Sequence, residues 1–242
     1  MITRETVWCE TPAWRATSRI VAAFAEFLSV PAKLVHRLPD GTDPAAAAVL
    51  EPAACVAQGL LEVDLRPGLA VAVVGAGALG VLAVALSRLS TPSRLALVGT
   101  RPRRLDLGRR LGATEVHDVR GGAPPAALVA AFDLVIEAAG TPSAVATALR
   151  LAWRGGAVVL LGISGGPGGA DADAIVLSHL RVQGAFGASR SAWLWVVDLL
   201  AGRLLDTRAL VSHSFPLARH ADAFATHGDR EAGALKVQLT PA

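Results

Sequence analysis

The chain has 242 residues, 52% of them apolar, and a formal net charge of +3. That apolar content supports a sizeable core and excludes a disordered chain, and the length fits one large domain or two small ones. A nucleic-acid partner is excluded as well, because beyond Arg101, Arg103, Arg104, Arg109 and Arg110 there is no basic run.

In chain order, Phe24–Val30 and Leu34–Leu38 read as short β segments. Asp43 can cap a long alanine-rich helix that opens at Pro44 and runs to about Leu61. A regular alternation then begins. Leu69–Val74 has the length of a buried strand, Ala78–Leu89 reads as a helix and Leu95–Val98 as a second strand. Pro102–Leu111 is an arginine-rich amphipathic helix, with Pro102 suited to a first turn. There follow a strand at Thr114–Val116, a helix at Pro125–Ala131, a strand at Leu134–Ala138 and a helix at Ser143–Trp153. Strands at Ala157–Leu161 and Arg181–Phe186 and a helix at Ser191–Ala201 complete the series. Apolar strands alternating with helices predict an α/β fold with a doubly wound parallel sheet. Pro216–Ala225 reads as a further helix and Ala234–Leu239 as a last strand.

From Pro67 to Ser87 there is no charge, a length that could span a bilayer. Three glycines in its middle, Gly75, Gly77 and Gly80, divide it into a β-like and a helical piece, so a buried strand, a turn and a buried helix explain it better. No membrane association is expected. Two cysteines, Cys9 and Cys55, are too few for a disulfide framework, and the N-terminus lacks the build of a signal peptide, so a cytoplasmic protein is expected.

The strongest motif is Gly75-Ala76-Gly77-Ala78-Leu79-Gly80, placed between the first strand of the alternation and its helix. Gly75 permits the tight turn, Gly77 leaves room for a pyrophosphate, and Gly80 lets the helix pack on the strand. The free N–H groups of the helix start then face the phosphates. In this setting the pattern predicts a dinucleotide site. An NAD site places Asp or Glu about 20 residues further on, to accept from the ribose 2′-hydroxyl. Here Gly99-Thr100-Arg101 stands there, with no carboxylate before Asp106. Glycine makes room for a 2′-phosphate, Thr100 can hydrogen-bond it and Arg101 can pair with it, so NADP(H) is expected over NAD(H). The competing reading is an ordinary solvated helix start, although cations there oppose the helix dipole.

These residues, together with PheAlaGluPhe at 24–27, LeuProAsp at 38–40, LeuGluProAlaAlaCys at 50–55 and LeuGlyAlaThr at 111–114, form an ordered series. It continues through GluAlaAlaGly at 137–140, LeuGlyIle at 161–163, GlyAlaPheGly at 184–187 and LysValGlnLeuThrPro at 236–241. From Phe24 onward the chain resembles the medium-chain dehydrogenase/reductase superfamily in its polyol and alcohol dehydrogenase branch. The resemblance implies a cofactor domain at 51–208 and a reduced GroES-like β domain from 1–50 with 209–242. It also implies further cofactor contacts at Glu137–Gly140 (Ala138 and Gly140 above all), at Leu161, Gly162 and Ile163, and at Phe186 and Gly187. The edge strand Arg181–Phe186 carries little charge, and in the resembled family the corresponding edge pairs with a second copy, so a homodimer is expected.

The chain departs from that family in one respect. Its zinc ligands include a histidine in a Gly-His-Glu motif, and this sequence contains no Gly-His-Glu. A catalytic zinc needs three protein ligands, so no zinc is expected. Cys9 resembles the last cysteine of the family's structural zinc lobe without its partners; both cysteines read as small apolar residues. The short-chain dehydrogenases, similar in length, use a tyrosine as proton donor, and this chain has no tyrosine. Glu51, matched to a position near the family's metal, is the catalytic candidate, against a plain solvent-facing helix residue. The six histidines read as surface or satisfied residues before catalytic ones, and the pair Trp193 and Trp195 as plain core before the lining of an apolar substrate pocket or a dimer interface. The expected function is an NADP(H)-dependent oxidoreductase acting on a small alcohol, carbonyl or enoyl substrate without zinc. A redox-neutral enzyme retaining the cofactor and a non-catalytic nucleotide-binding subunit are the alternatives.

Overall fold

The computed structural model describes residues 31, 35–166, 170–229 and 231–240. They divide into two compact units, one from 55–186 and one from the described parts of 1–54 and 187–242.

The expected helix from Asp43 to Leu61 is two helices, α1 at Pro44–Ala47 and α2 at Leu50–Leu61. Asp43 caps α1 by accepting from the Ala45 N–H at 2.9 Å. The break at 48–49 has a cause in Pro52, which has no N–H for the Ala48 carbonyl and whose ring crowds it. Of the expected β segments, Phe24–Val30 lies outside the described residues. Leu34–Leu38 is no strand in its described part, where Val35 makes one isolated bridge and residues 36–38 are irregular.

The unit 55–186 is built on six strands. They are β1 (Ala70–Val74), β2 (Arg94–Gly99), β3 (Glu115–Asp118), β4 (Phe132–Glu137), β5 (Ala152–Leu160) and β6 (Arg181–Gly184). Between them lie α3 (Ala78–Ser87), α4 (Pro102–Arg110), α5 (Pro142–Leu151) and α6 (Ala172–Leu177). The strands are parallel, in the order β3-β2-β1-β4-β5-β6, with Val71 opposite both Leu95 and Leu134 and Glu137 opposite both Val74 and Leu160. This is the doubly wound order, whose reversal between β1 and β4 opens a crevice at the carboxyl ends of those strands.

Alternate side chains of each strand serve opposite faces. Ala72, Val74, Ala96, Val98, Val135 and Val158 face Ala144, Ala148 and Leu149 of α5. On the opposite face a Cβ at Gly108 of α4 would run into the Leu97 side chain, so only glycine lets that helix approach so closely. Gly59 of α2 works likewise, a Cβ there reaching Val159 Cγ1 at 2.9 Å.

Two expectations change here, and one helix is added. Pro125–Ala131 holds only a three-residue 3₁₀ turn, Ala126–Leu128. Pro124 and Pro125 supply no N–H, Ala130 has a φ of +51°, and the Ala130 and Ala131 amides already donate to the carbonyls of Arg150 and Leu151. Helix α5 ends at Leu151, not Trp153, because Ala152 pairs with Phe132 and starts β5. Helix α6, capped by Asp171, lies between the strands expected at 157–161 and 181–186, where the sequence reading assigned no element.

In the second unit, α7 (Arg190–Ala201) buries Trp193, whose ring stacks on His36 with centroids 5.5 Å apart. The buried Thr207 hydroxyl donates to the Ala46 carbonyl at 2.8 Å. A parallel pair, β7 (Val211–Pro216) and β8 (Lys236–Thr240), is joined through α8 (His220–Gly228). Among the described residues no helix is long and apolar enough to cross a membrane.

Candidate nucleotide-binding cleft

A cleft of about 710 Å³ opens at the carboxyl ends of β1, β2 and β4, where the strand order reverses. Its floor is the turn from β1 into α3. Gly75 has a φ of +110°, a conformation that L side chains rarely adopt, and its N–H donates to the Val98 carbonyl at 2.8 Å. A Cβ at Gly80 would collide with the Gly75 carbonyl oxygen, so the helix can begin this close to the strand only with glycine there. Gly77 differs from both. It is the N-cap of α3, has ordinary extended backbone angles, and a Cβ built on it meets nothing within 4 Å.

Helix α3 thus presents its first N–H groups, which lack intrahelical carbonyl partners, to an open space. Its ten residues, Ala78 to Ser87, include no charged residue, so the positive end of the helix dipole is not offset by a carboxylate. A pyrophosphate fits this cradle in size and in charge.

At the β2 end the lining is Val98, Gly99, Thr100, Arg101 and Arg104. A Cβ at Gly99 would come within 2.8 Å of the Ala76 Cβ, so glycine here keeps the second strand against the phosphate loop. Burial pushes the Arg104 guanidinium below its ordinary range, and the neighbouring positive charge of Arg101 adds to the shift. Arg150, in the last turn of α5, is the third guanidinium of the lining, which contains no Asp or Glu. Such a cleft attracts a polyanion.

The opposite wall is Ala138, Ala139, Thr141, Ser143, Ala144 and Thr147. Of the residues read from the sequence, the cleft therefore gathers Gly75, Gly77, Gly99, Thr100, Arg101 and Ala138. Ala78, Leu79 and Gly80 form the helix start below it, while Gly140, Leu161, Gly162, Ile163 and Phe186 lie outside its lining. Leu161 is buried, whereas Ile163 and Phe186 are 73% and 61% exposed. Gly187 and Glu51 fall in the second unit, Glu51 exposed in the first turn of α2. Arg104, Arg150 and Thr147 escaped the sequence reading. Arg104 stood in the quoted arginine run, but nothing in the order of residues brings α5 to the end of β2. Among the described residues no histidine lines the cleft, and no three His, Cys, Asp or Glu side chains come together as a metal site.

Residues 49–237 match the family model described as glucose dehydrogenase C-terminus. The chain belongs to that family. It is thereby a member of the medium-chain dehydrogenase/reductase superfamily, and known relatives agree. L-threonine 3-dehydrogenase of Bacillus velezensis is 33% identical over 208 residues, and that of Bacillus subtilis (strain 168) 31% over 226. These alignments take in 81% and 90% of the chain but only 58% and 64% of the relatives. Among solved structures, a candidate zinc-binding dehydrogenase from Sinorhizobium meliloti 1021 bound to NADP superposes with a TM-score of 0.81 at 30% identity. It covers 90% of this chain, which spans 66% of that one. An alcohol dehydrogenase from Thermus sp. ATN1 gives 0.81 at 27% identity, covering 91% and 65%. The glucose dehydrogenase C-terminal family thus accounts for the six-stranded sheet and its cleft, while the chain spans less than two thirds of these curated relatives.

Proposed function

We propose that this family member binds NADP(H) in the cleft and acts as an NADP(H)-dependent oxidoreductase on a small alcohol or carbonyl substrate. The observation that carries the reading is the charge pattern of the lining, with Arg101, Arg104 and Arg150 present and carboxylates absent. An NAD site needs a carboxylate where Gly99 stands. A 2′-phosphate dianion instead calls for space and guanidinium forks. The Sinorhizobium meliloti relative, solved with NADP, and the dehydrogenase names of the other relatives support the same reading.

In this arrangement the start of α3 holds the pyrophosphate over Gly77, and Thr100, Arg101 and Arg104 hold the 2′-phosphate. Ala138, Gly140 and Leu161–Ile163 then border the nicotinamide half, with Phe186 and Gly187 beyond them. The bound cofactor supplies or accepts a hydride, and the chain orients it. Glu51 is the proposed proton-handling group, on its sequence match. The reading asks for no zinc from these 242 residues, which contain no Gly-His-Glu motif. We place the protein in the cytoplasm, as a homodimer joined along β6, one of the two edge strands of the sheet. Absorbance at the nicotinamide band, followed with NADP⁺ or NADPH and a panel of small alcohols and carbonyls, tests the function. Turnover with one of them is expected; tight cofactor binding with no absorbance change across both directions would refute the oxidoreductase reading.

A further inference from the structure

Glu137 ends β4 and is fully buried. Its Oε1 accepts from the backbone N–H groups of Ala139 at 2.7 Å and Gly140 at 2.8 Å. Its backbone carbonyl accepts from Leu161 at 2.8 Å and Gly162 at 3.3 Å. The second carboxylate oxygen, Oε2, is buried with no hydrogen-bond partner. Burying a carboxyl group in this way is expensive, and the Ala139 and Gly140 amides could be capped by a smaller, neutral group.

The surroundings show what the carboxylate holds. Three backbone segments meet around it, each through a glycine, Gly75, Gly140 or Gly162, where an added Cβ would come within 3 Å of a neighbouring segment. A Cβ on Gly162 would approach Glu137 Oε2 to 2.6 Å, and one on Gly140 would reach the Ile163 carbonyl oxygen at 2.9 Å. A Cβ on Gly75 would meet the Ala139 nitrogen at 2.7 Å and the Ala138 carbonyl carbon at 2.9 Å. The first glycine of the phosphate turn therefore rests directly on the loop that Glu137 grips.

We infer that Glu137 is a positioning residue for nucleotide binding: it fixes residues 138–140 in the shape against which the Gly75 turn packs, although it does not itself line the cleft. The inference rests on the NADP(H) reading for its ligand, but the mechanical link between the two loops stands on the contacts alone. Interior backbone packed this closely transmits a displacement instead of absorbing it.

The test uses the full chain and three variants, Glu137→Ala, Glu137→Asp and Glu137→Gln. NADPH affinity is measured by titration, and backbone amide exchange is followed without nucleotide. Glu137→Ala, and Glu137→Asp with its shorter reach, are expected to weaken NADPH by about tenfold or more, as for a lost hydrogen bond to a charged group. Both are also expected to speed exchange at Ala139 and Gly140 and at the Gly75–Gly77 turn. Glu137→Gln keeps the acceptor and is expected to restore affinity to within about threefold. Should Glu137→Ala not fold, Glu137→Asp carries the comparison. A purely structural role would lower the melting temperature while leaving affinity and exchange at 75–77 as in the unmodified chain, and that result overturns the inference. Equal losses in Glu137→Gln and Glu137→Ala overturn it too. An unmodified chain that binds neither NADPH nor NADH refutes the ligand reading, and the exchange data still decide the coupling of the loops.

Discussion

Gly77 separates binding from folding more cleanly than any other position in the cleft. Its φ of −80° and ψ of −173° are open to alanine, and the added Cβ meets nothing within 4 Å. Gly77→Ala narrows the unfolded ensemble, a gain of about 0.4–1 kcal/mol. Alanine is also a poorer N-cap than glycine, a loss of roughly 0.5–1.5 kcal/mol. The two offset, so stability should stay within about 1 kcal/mol of the unmodified protein, a shift of about 2–4 °C at this chain length. The methyl group, however, projects into the open space over the first N–H groups of α3, where the pyrophosphate is proposed to sit. Losing even one of those charge-assisted hydrogen bonds costs about 1.5–3 kcal/mol, roughly ten- to over a hundredfold in affinity. Thermal melts and NADPH titrations of the same preparations check both halves. Gly80→Ala is the contrasting control, because its Cβ strikes the Gly75 carbonyl oxygen and should destabilise the fold itself. A Gly77→Ala protein that binds NADPH as tightly as the unmodified chain would show that no phosphate lies over Gly77, and the proposed pose would have to be abandoned.

Three further outcomes are expected. Glu115 is held below the ordinary carboxylate range by the hydrogen bond from Arg94, against the opposing effect of burial, with a further hydrogen bond from His117 at 2.9 Å. Its contribution is therefore present above the ordinary carboxylate pKa and is lost as pH falls through the lowered folded value. Glu115→Gln should cost on the order of 1 kcal/mol at neutral pH in urea melts, the difference closing in acid; a difference that grows in acid would contradict this. Metal analysis of protein purified without chelator should find well under one zinc per chain, and a stoichiometric zinc would contradict the zinc-free reading. Sedimentation equilibrium should give twice the 24.8 kDa chain mass, with an Arg181→Pro change in β6 shifting it toward one chain; a 24.8 kDa species in the unmodified protein would remove the dimer.

The cofactor unit was legible because its signals are local. Continuous apolar strands, the glycine turn at 75–80 and the missing carboxylate after β2 each lie within a few neighbouring residues, and a doubly wound parallel sheet followed from the alternation of strands and helices. The misreadings arose where tertiary pairing overrides local pattern. Trp153 continued a helical periodicity, yet Ala152 had already joined β4 through Phe132. Strand β7 was invisible because VSHSFP alternates half-buried and exposed residues with little apolar content to mark it. Pro52 was read as part of a helix whose earlier turn it interrupts. In the cleft, Arg101 was found from its distance to the glycines, whereas Arg150 reaches the same space from a helix 49 positions later. Glu137 was noted only as the start of a family motif and of an implied cofactor-contact segment; the two amides it accepts from and the glycine contacts beside it exist only in the folded chain.

The central claim is that the end of β2 selects the 2′-phosphate, and paired titrations with NADPH and NADH test it most directly. NADPH should bind about tenfold or more tightly to the unmodified chain, and Arg101→Ala should narrow that gap by about 1.5–3 kcal/mol, the range for a hydrogen bond between charged groups. Equal affinities for the two cofactors, or a gap untouched by Arg101→Ala, would contradict it.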